Sequence, residues 1–369
     1  MDLPEAGTRA TDAPASVPEP STAAPRGSRL GPDLLLLGLV GILLAAAVWA
    51  GTAAVNREFY SASAFVERYL SLLSDGRAGE ALTIPGVAVD SAELEAAGMP
   101  PYASDALLRR AAMAALTDVS IVSEVEGEDS TRVTVAYRAG TYDGTTTYDV
   151  VRSGSIGLAP AWRFATSPLA VMNLVVKGSM TFEVNGFDVD KRQVSPDGVD
   201  ADPLAAVALL VFSPGIYSVS VDTAISATPG VAVVSDSPFT EVPVEIQAQA
   251  TDEFVGVVQE RVDEFLVACA TQEVLQPTAC PFGFFVQDRI VSAPAWSIAQ
   301  QPVVSVAPDG AGWVIPQTEA VAHIEVDIRS IFDGSIRHVS EDVPFVMSGA
   351  IAILPDGAAT ITVSGPDTR

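Results

Sequence analysis

Lysine is nearly absent from this 369-residue chain: Lys177 and Lys191 are the only two, and histidine and cysteine also stop at two each. Each scarcity closes a class of chemistry. A penicillin-binding transpeptidase needs a serine three residues before a lysine and a strand of the Lys-Thr-Gly type. Here Leu174 and Asp188 hold the positions three before the lysines, and Gly178-Ser179 and Arg192-Gln193 follow them. Two histidines, His323 and His338, with two spaced cysteines do not make a zinc set. There is no P-loop, no dinucleotide fingerprint and no Gly-x-Ser-x-Gly elbow. No cofactor, metal or catalytic residue is expected, and the chain is read as not an enzyme. Positive charge is short as well: 20 lysines and arginines face 46 aspartates and glutamates, for a net charge of −26. Nucleic acid is excluded as a partner, because its phosphates would be repelled along most of this surface. The same repulsion opposes tight adhesion of the folded part to anionic headgroups.

What is present is one long apolar run, LLLLGLVGILLAAAVWAGTAAV, from Leu34 to Val55. It carries no charged side chain, and as a helix it would span roughly 33 Å, enough for a hydrocarbon core of about 30 Å. Unpaired backbone amides in lipid cost several kcal/mol each, so the run is expected to enter the bilayer as a helix. A buried helix of a soluble domain is the alternative. Membrane lipid is thus an expected partner, and the anchor is bounded by Leu34 and Val55. Residues 1–33, rich in proline and alanine, cannot bury enough surface to offset their ordering entropy and read as a disordered tail, a spacer or a docking segment.

Orientation rests on the cysteines. Arg26 and Arg29 precede the run and Arg57 and Arg68 follow it, so the positive-inside count is tied. Cys269 and Cys280 stand eleven apart around a helix end and a proline-containing loop. A disulfide there would contribute about 3 kcal/mol in the chain-entropy model, and disulfides persist in oxidising compartments. Two inert buried thiols are the alternative. The paired reading gives a single-pass cell-membrane protein with a cytoplasmic N-terminus and an extracytoplasmic body. Val48-Trp49-Ala50 loosely resembles a signal-peptidase site, but 33 residues ahead of the run are long for a signal peptide, so an uncleaved anchor is preferred.

The body reads as α+β in three parts. In 59–167, Phe65, Val66, Tyr69, Leu70 and Leu73 recur at helical spacing behind Ser61 or Ser63 as N-cap, and Ser74-Asp75-Gly76 ends the stretch. A short helix over Ala78–Leu82 and a third from Ser104 to Leu116 are expected next. The period then changes from 3.6 to 2 around Val119 and Ile121, Val133 to Tyr137, Tyr148 and Val150, and Trp162 and Phe164, which predicts an antiparallel sheet on the helices. Residues 168–249 read as a small all-β domain, with Asn185-Gly186 as a hairpin turn and strict alternation over Ile216–Val221. Residues 250–369 open at Thr251 as N-cap of a five-turn helix facing inward with Phe254, Val258, Val262, Phe265 and Cys269. Strands follow around 290–298, 312–315, 320–329, 335–347 and 350–363, turned by Pro308-Asp309-Gly310 and Pro355-Asp356-Gly357. That is a second helix-on-antiparallel-sheet unit.

Two local features were weighed for chemistry. His323 lies in Ala322-His323-Ile324-Glu325-Val326-Asp327-Ile328-Arg329, where polar and apolar residues alternate, so it is expected on the solvated face of a strand as a surface residue, not a base. The acid run Asp188, Asp190, Asp197, Asp200 and Asp202 begins like a calcium loop but puts Arg192 where the third oxygen ligand belongs and lacks the closing glutamate. A solvated loop is expected.

The helices-then-meander order of 59–167, closing on Trp162-Arg163-Phe164, resembles the NTF2-like or cystatin-like fold. The pair Val184-Asn185-Gly186 and Pro214 to Val221 is similar to PEGA-type β domains of bacterial cell-surface proteins and to repeats in TcaA-like single-pass envelope proteins. Those proteins carry a cytoplasmic zinc ribbon ahead of the membrane helix; the tail before Leu34 has no cysteine. The resemblance implies tandem extracytoplasmic domains and a binding or structural role at the cell envelope, toward a wall polymer, an envelope protein or a small ligand in a cone-shaped pocket. The alternatives are a carboxylate-dependent envelope hydrolase, whose signature is a pair of acids in a cleft, and a signalling accessory acting through the N-terminal tail.

Overall fold

The computed structural model describes residues 30–157, 159–353 and 359–364. The expected tail before Leu30 and the turn at Pro355-Asp356-Gly357 lie outside the described residues. The chain divides into two compact units between Arg57 and Glu58.

The first unit contributes most of helix α1 (Leu30–Phe59), which includes Leu34 and Val55. Every described side chain from Leu35 to Trp49 is exposed. Among the described residues no helix is long and apolar enough to cross a membrane.

The second unit is a sheet-rich α+β structure. Helix α2 (Ala62–Ser74) begins where Ser61 Oγ accepts the Ala64 N–H at 3.1 Å, and it buries Phe65, Val66, Tyr69, Leu70 and Leu73. It stops at Asp75, ahead of Gly76 at φ +67°. After the short α3 (Ala78–Ala81) comes a helix the periodicity did not announce, α4 (Ser91–Ala96), started by a reciprocal capping box between Asp90 and Glu93. The helix expected over Ser104–Leu116 does not form. Ser104 instead joins the backbone of a later strand, its N–H donating to Ala208 O at 2.9 Å and its carbonyl accepting the Leu210 N–H at 2.8 Å. Only a single 3-10 turn, Arg110–Ala112, follows. Two sheet bonds at Ser104 and the burial of Leu107 and Ala112 among β residues outweigh the local helical spacing.

Strands β1 (Leu116–Glu126), β2 (Thr131–Ala139), β3 (Tyr142–Ile156) and β4 (Ala159–Phe164) form the expected antiparallel meander in that order. Its alternation is clean in β2, where Thr131, Val133, Val135, Tyr137 and Ala139 point inward. Between α2 and this sheet, the rings of Phe65, Tyr69 and Tyr148 gather on Phe164 with centroids 5.0, 5.2 and 5.5 Å from it. Those four rings fill the space where a cone-shaped pocket was expected.

The middle layer contains β5 (Leu169–Lys177), β6 (Thr181–Val184), β7 (Phe187–Asp190), a turn of helix α5 (Lys191–Val194), β8 (Val207–Phe212), β9 (Gly215–Ser220), β10 (Ser226–Ala227), β11 (Val231–Ser235), β12 (Glu241–Gln247) and β13 (Gln249–Ala250). Two sheets, β12-β5-β8 and β11-β9-β6-β7, share a core around Met172, Leu174, Phe182, Val184, Tyr217 and Val219. Asn185 and Gly186 both take positive φ, 51° and 78°, as their hairpin requires. Strand β5 is covered on both faces: Val171 packs with Leu94 and Met99, which gives α4 its place. Strand β12 runs parallel to β5. The middle layer is joined to the first by Leu169 and Phe212, which sit in the α2 core, and by the Tyr69 and Tyr148 hydroxyls, which donate to Ser213 O at 3.2 and 2.9 Å.

Helix α6 (Asp252–Ala270) opens at Thr251, whose Oγ1 accepts the Phe254 N–H. The row Phe254, Val258, Val262, Leu266 is buried, with Cys269. Leu266 continues the i+4 ridge into the core, and Phe265, expected there, is partly buried against the same core beside Ile361 and Val363. The sheet comprises β14 (Arg289–Ile290), β15 (Ala295–Gln300), β16 (Ala307–Asp309), β17 (Gly312–Arg329), β18 (Ile336–Ile353) and β19 (Ala359–Ser364). The two strands expected over 312–329 are one, β17, with its register shift between Ile315 and Thr318 absorbing Pro316, which has no N–H to give the ladder.

Burial raises the hydroxyl pKa values of Tyr69, Tyr148 and Tyr217 well above the ordinary tyrosine value. Below about pH 10 both folded and unfolded chains keep these protons; above it the unfolded chain releases them and the folded chain does not, so stability falls as pH rises. Each such group contributes a loss of about 1.4 kcal/mol per pH unit above pH ~10. Urea titrations across that range should show the fall in stability with pH lessened by about 1.4 kcal/mol per pH unit in Tyr148→Phe. An unchanged slope would contradict the burial of this hydroxyl.

Candidate functional site

Both histidines fall on one face of the C-terminal sheet. Alternation along β17 sends Ala320, Ala322, Ile324, Val326 and Ile328 to the core and leaves His323, Glu325, Asp327 and Arg329 on the other face. The register with β18 sets His323 opposite Asp342, Glu325 opposite Ser340 and Asp327 opposite His338. Side chains follow that register. His323 Nδ1 lies 2.7 Å from Asp342 Oδ1, and Ser340 Oγ lies 3.2 Å from His323 Nε2. His338 Nδ1 lies 2.9 Å from Asp327 Oδ1. Of the two carboxylates that follow His323 on its face, Glu325 stays near, at 3.9 Å from Nε2, while Asp327 is engaged by His338. Ser340 and Asp342 went unnoticed in the sequence. Folding the two alternating runs about Phe332-Asp333 would have found them, since positions 323 and 342, 325 and 340, and 327 and 338 are equidistant from that point.

Ser340, His323 and Asp342 repeat the hydrogen-bond order of a serine hydrolase triad. That chemistry also asks for a buried orienting carboxylate and a water-excluding cleft with oxyanion donors. The Asp342 side chain is 68% exposed, and the three groups stand on the open face of a sheet, away from the larger cavities. The arrangement presents hydrogen-bonding groups; it does not enclose a reacting atom. Carboxylate chemistry finds little support either. Among the described residues no aspartate or glutamate is buried. The carboxyls with a resolved pKa shift move down, Asp190 through its bond to Arg192 and Asp333 through the Ser335 backbone N–H, opposite to what a general acid needs.

In the acid run, Asp190 Oδ2 meets Arg192 Nη2 at 2.7 Å and Asp202 Oδ1 accepts the Leu204 N–H at 2.8 Å. The loop's interior already holds a cation. Lys191, 1% exposed, donates through Nζ to the carbonyls of Pro203 at 2.6 Å and Asp202 at 3.3 Å. Burial lowers its pKa. Among the described residues no group of three or more histidine, cysteine, aspartate or glutamate side chains is placed to hold a metal ion. Lys191 belongs to the run expected as a solvated loop, yet it lies buried between the end of β7 and a carbonyl-rich turn.

The Cys269 and Cys280 sulfurs are bonded at 2.04 Å, with Cα atoms 5.9 Å apart, inside the range a disulfide spans. Gln272 ties the enclosed loop, its Oε1 accepting the Thr278 N–H at 2.8 Å. Leu34 and Val55, expected to bound a membrane anchor, occupy helical positions whose side chains are not among those described.

Cavities open on the first layer. In one of about 480 Å³, Arg138 is held by Asp118 and Asp143 at 2.6 and 2.7 Å, and Asp236 lines it too. Another, about 380 Å³, lies over Gly86, Arg163, Phe164 and Phe239. A third, about 240 Å³, is mainly apolar and is lined by Phe59, Tyr60, Phe65, Arg68, Pro160 and Trp162 among others.

No family model matches this chain, and neither a curated protein nor a solved structure does.

Lys191→Met is expected to lower stability by about 1–3 kcal/mol by leaving two turn carbonyls without a donor, seen as an earlier urea midpoint; an unmoved midpoint would remove Lys191's structural role. Ser340 is expected to stay unlabelled by a fluorophosphonate probe, and labelling that disappears in Ser340→Ala would show an activated serine.

Proposed function

We propose that this chain is a single-pass, membrane-anchored extracytoplasmic protein that binds a partner at the bacterial cell envelope and does not catalyse a reaction. The observation that carries the reading is the unbroken exposure of Leu35–Trp49 on α1. Leu35, Ile42 and Trp49 are each more than 70% exposed. Water is a poor solvent for so continuous an apolar surface, whereas lipid accommodates it with the backbone already hydrogen-bonded in a helix. The full uncharged run from Leu34 to Val55 has the length a bilayer asks for.

The Cys269–Cys280 pair supports an oxidising compartment for the body, hence a cytoplasmic N-terminus. The strong negative charge suits a body held off an anionic bilayer. The sheet face carrying His323, Ser340, Asp342 and His338, open and rich in donors and acceptors, favours contact with an extended partner such as a wall polymer or another envelope protein. A relation to TcaA-like envelope proteins, with NTF2-like and PEGA-type domains, belongs to the same proposal.

Protease treatment of intact cells tests it. The body should be digested while an epitope placed in residues 1–25 survives, and a maleimide should modify the cysteines only after reduction. A protected body with a digested N-terminal epitope would overturn the topology, and cysteines reactive without reductant would remove the compartment argument.

A further inference from the structure

The apolar recess at the start of the second unit stands out by what lines it. Helix α1 ends at Phe59, and the Phe59 and Tyr60 side chains form one wall. Trp162 forms the opposite wall and is pinned there, its Nε1–H donating to Tyr60 O at 2.8 Å with the Arg152 guanidinium over its ring at 5.4 Å. Phe65 and Ile84 contribute to the apolar lining. The opening is built into the sheet. Arg152 pairs with Trp162 and Gly154 with Ala161, so Ser153 is an extra residue, a bulge that turns strand β3 aside next to Pro160 and Ala161. Gly86, at φ +84°, lets the Ile84-Pro85 loop lie on Phe164, where a Cβ would come within 2.5 Å of the carbonyl oxygen.

The charge is equally selective. In a chain with 46 acids and 20 bases, no acid among the described residues lines this recess, and Arg68 is the one charged side chain among them that does. Arg68 is exposed and has no ion pair among the described residues. A free guanidinium beside an aromatic cleft is suited to a phosphate above an apolar chain. Volume limits the guest. At about 240 Å³ the recess falls below the 300–1,000 Å³ of pockets that enclose a drug-sized ligand, so it takes part of a molecule whose remainder lies elsewhere. Phe59 follows the last residue of the apolar run, Val55, by about one helical turn, and aromatic residues so placed occupy the headgroup zone of a bilayer.

We infer that the recess is a site for one anionic phospholipid of the protein's own membrane, with an acyl segment between the Tyr60 and Trp162 walls and its phosphate on Arg68. The inference rests on the anchor reading. It gives an acidic body one specific anionic ligand despite its overall repulsion from such lipids.

Native mass spectrometry of the full chain released from nanodiscs of equal phosphatidylglycerol and phosphatidylcholine tests this. One phosphatidylglycerol should remain per chain under activation that strips the other lipids. Arg68→Gln should reduce that retention about tenfold, Arg68→Lys should keep most of it, and Ala161→Phe, which fills the recess while sparing the charge, should abolish it. Melting curves check that each variant is folded; Arg68 is exposed, so its substitutions test the site even if Ala161→Phe does not fold. Equal retention of phosphatidylcholine, or retention unchanged in Arg68→Gln, would overturn the site. A chain that enters no nanodisc would overturn the anchor reading and the site with it, whereas a chain that enters and retains nothing overturns the site alone.

Discussion

Two tyrosine hydroxyls meeting on one carbonyl hold the first two layers of this molecule together. Tyr69 comes from helix α2, Tyr148 from strand β3, and both donate to Ser213 O at the β8–β9 turn. A buried carbonyl must find donors or cost free energy, and a buried phenol must find an acceptor. Here each satisfies the other, and the geometry fixes where the middle layer sits on the first. Around this junction the packing is apolar and dense: Phe164 below, Leu169 and Phe212 at the crossing. The α2 core and the β5–β8 strands therefore do not behave as beads on a string, even though their sequence patterns change sharply near residue 168.

That junction also occupies the interior of the first layer. A helix on a curved antiparallel meander can enclose a cone, but here two tyrosines reach through it to Ser213. Phe65 and Phe164 close the rest. Recognition is left to the outside of the structure, where the openings are set by sheet irregularities, as at Ser153, and by open strand faces, as on β17 and β18.

Much of the fold was legible because local and tertiary preferences agree. The α2 and α6 caps at Ser61 and Thr251, the Asn185-Gly186 turn and the alternation in β2 each need only a few neighbouring residues to be understood. Failures occur where distant residues decide. Leu107, Leu108 and Ala111 have helical spacing, yet Ser104 is claimed by Ala208 and Leu210, a hundred residues on. The Asp90–Glu93 capping box was a readable local signal, but the helix it starts is short and earns its place only by covering Val171. The histidine face shows the same division. His323 was rightly placed on a solvated strand face, since alternation is local; its Asp342 and Ser340 neighbours depend on the cross-strand register, which no count along one strand contains.

Charge ties these parts to a location. A chain at −26 is repelled by phosphate, so any place where it accepts phosphate must be locally stripped of acid. The recess beside Phe59 meets that condition: Arg68 stands alone in it, and Arg152 stacks on its Trp162 wall while reaching Glu126 at 3.4 Å on its other side. The histidine face is the opposite case. There Asp327, Glu325 and Asp342 surround the two imidazoles, so a partner approaching it must supply donors or positive charge. One protein thus presents two surfaces of opposite preference.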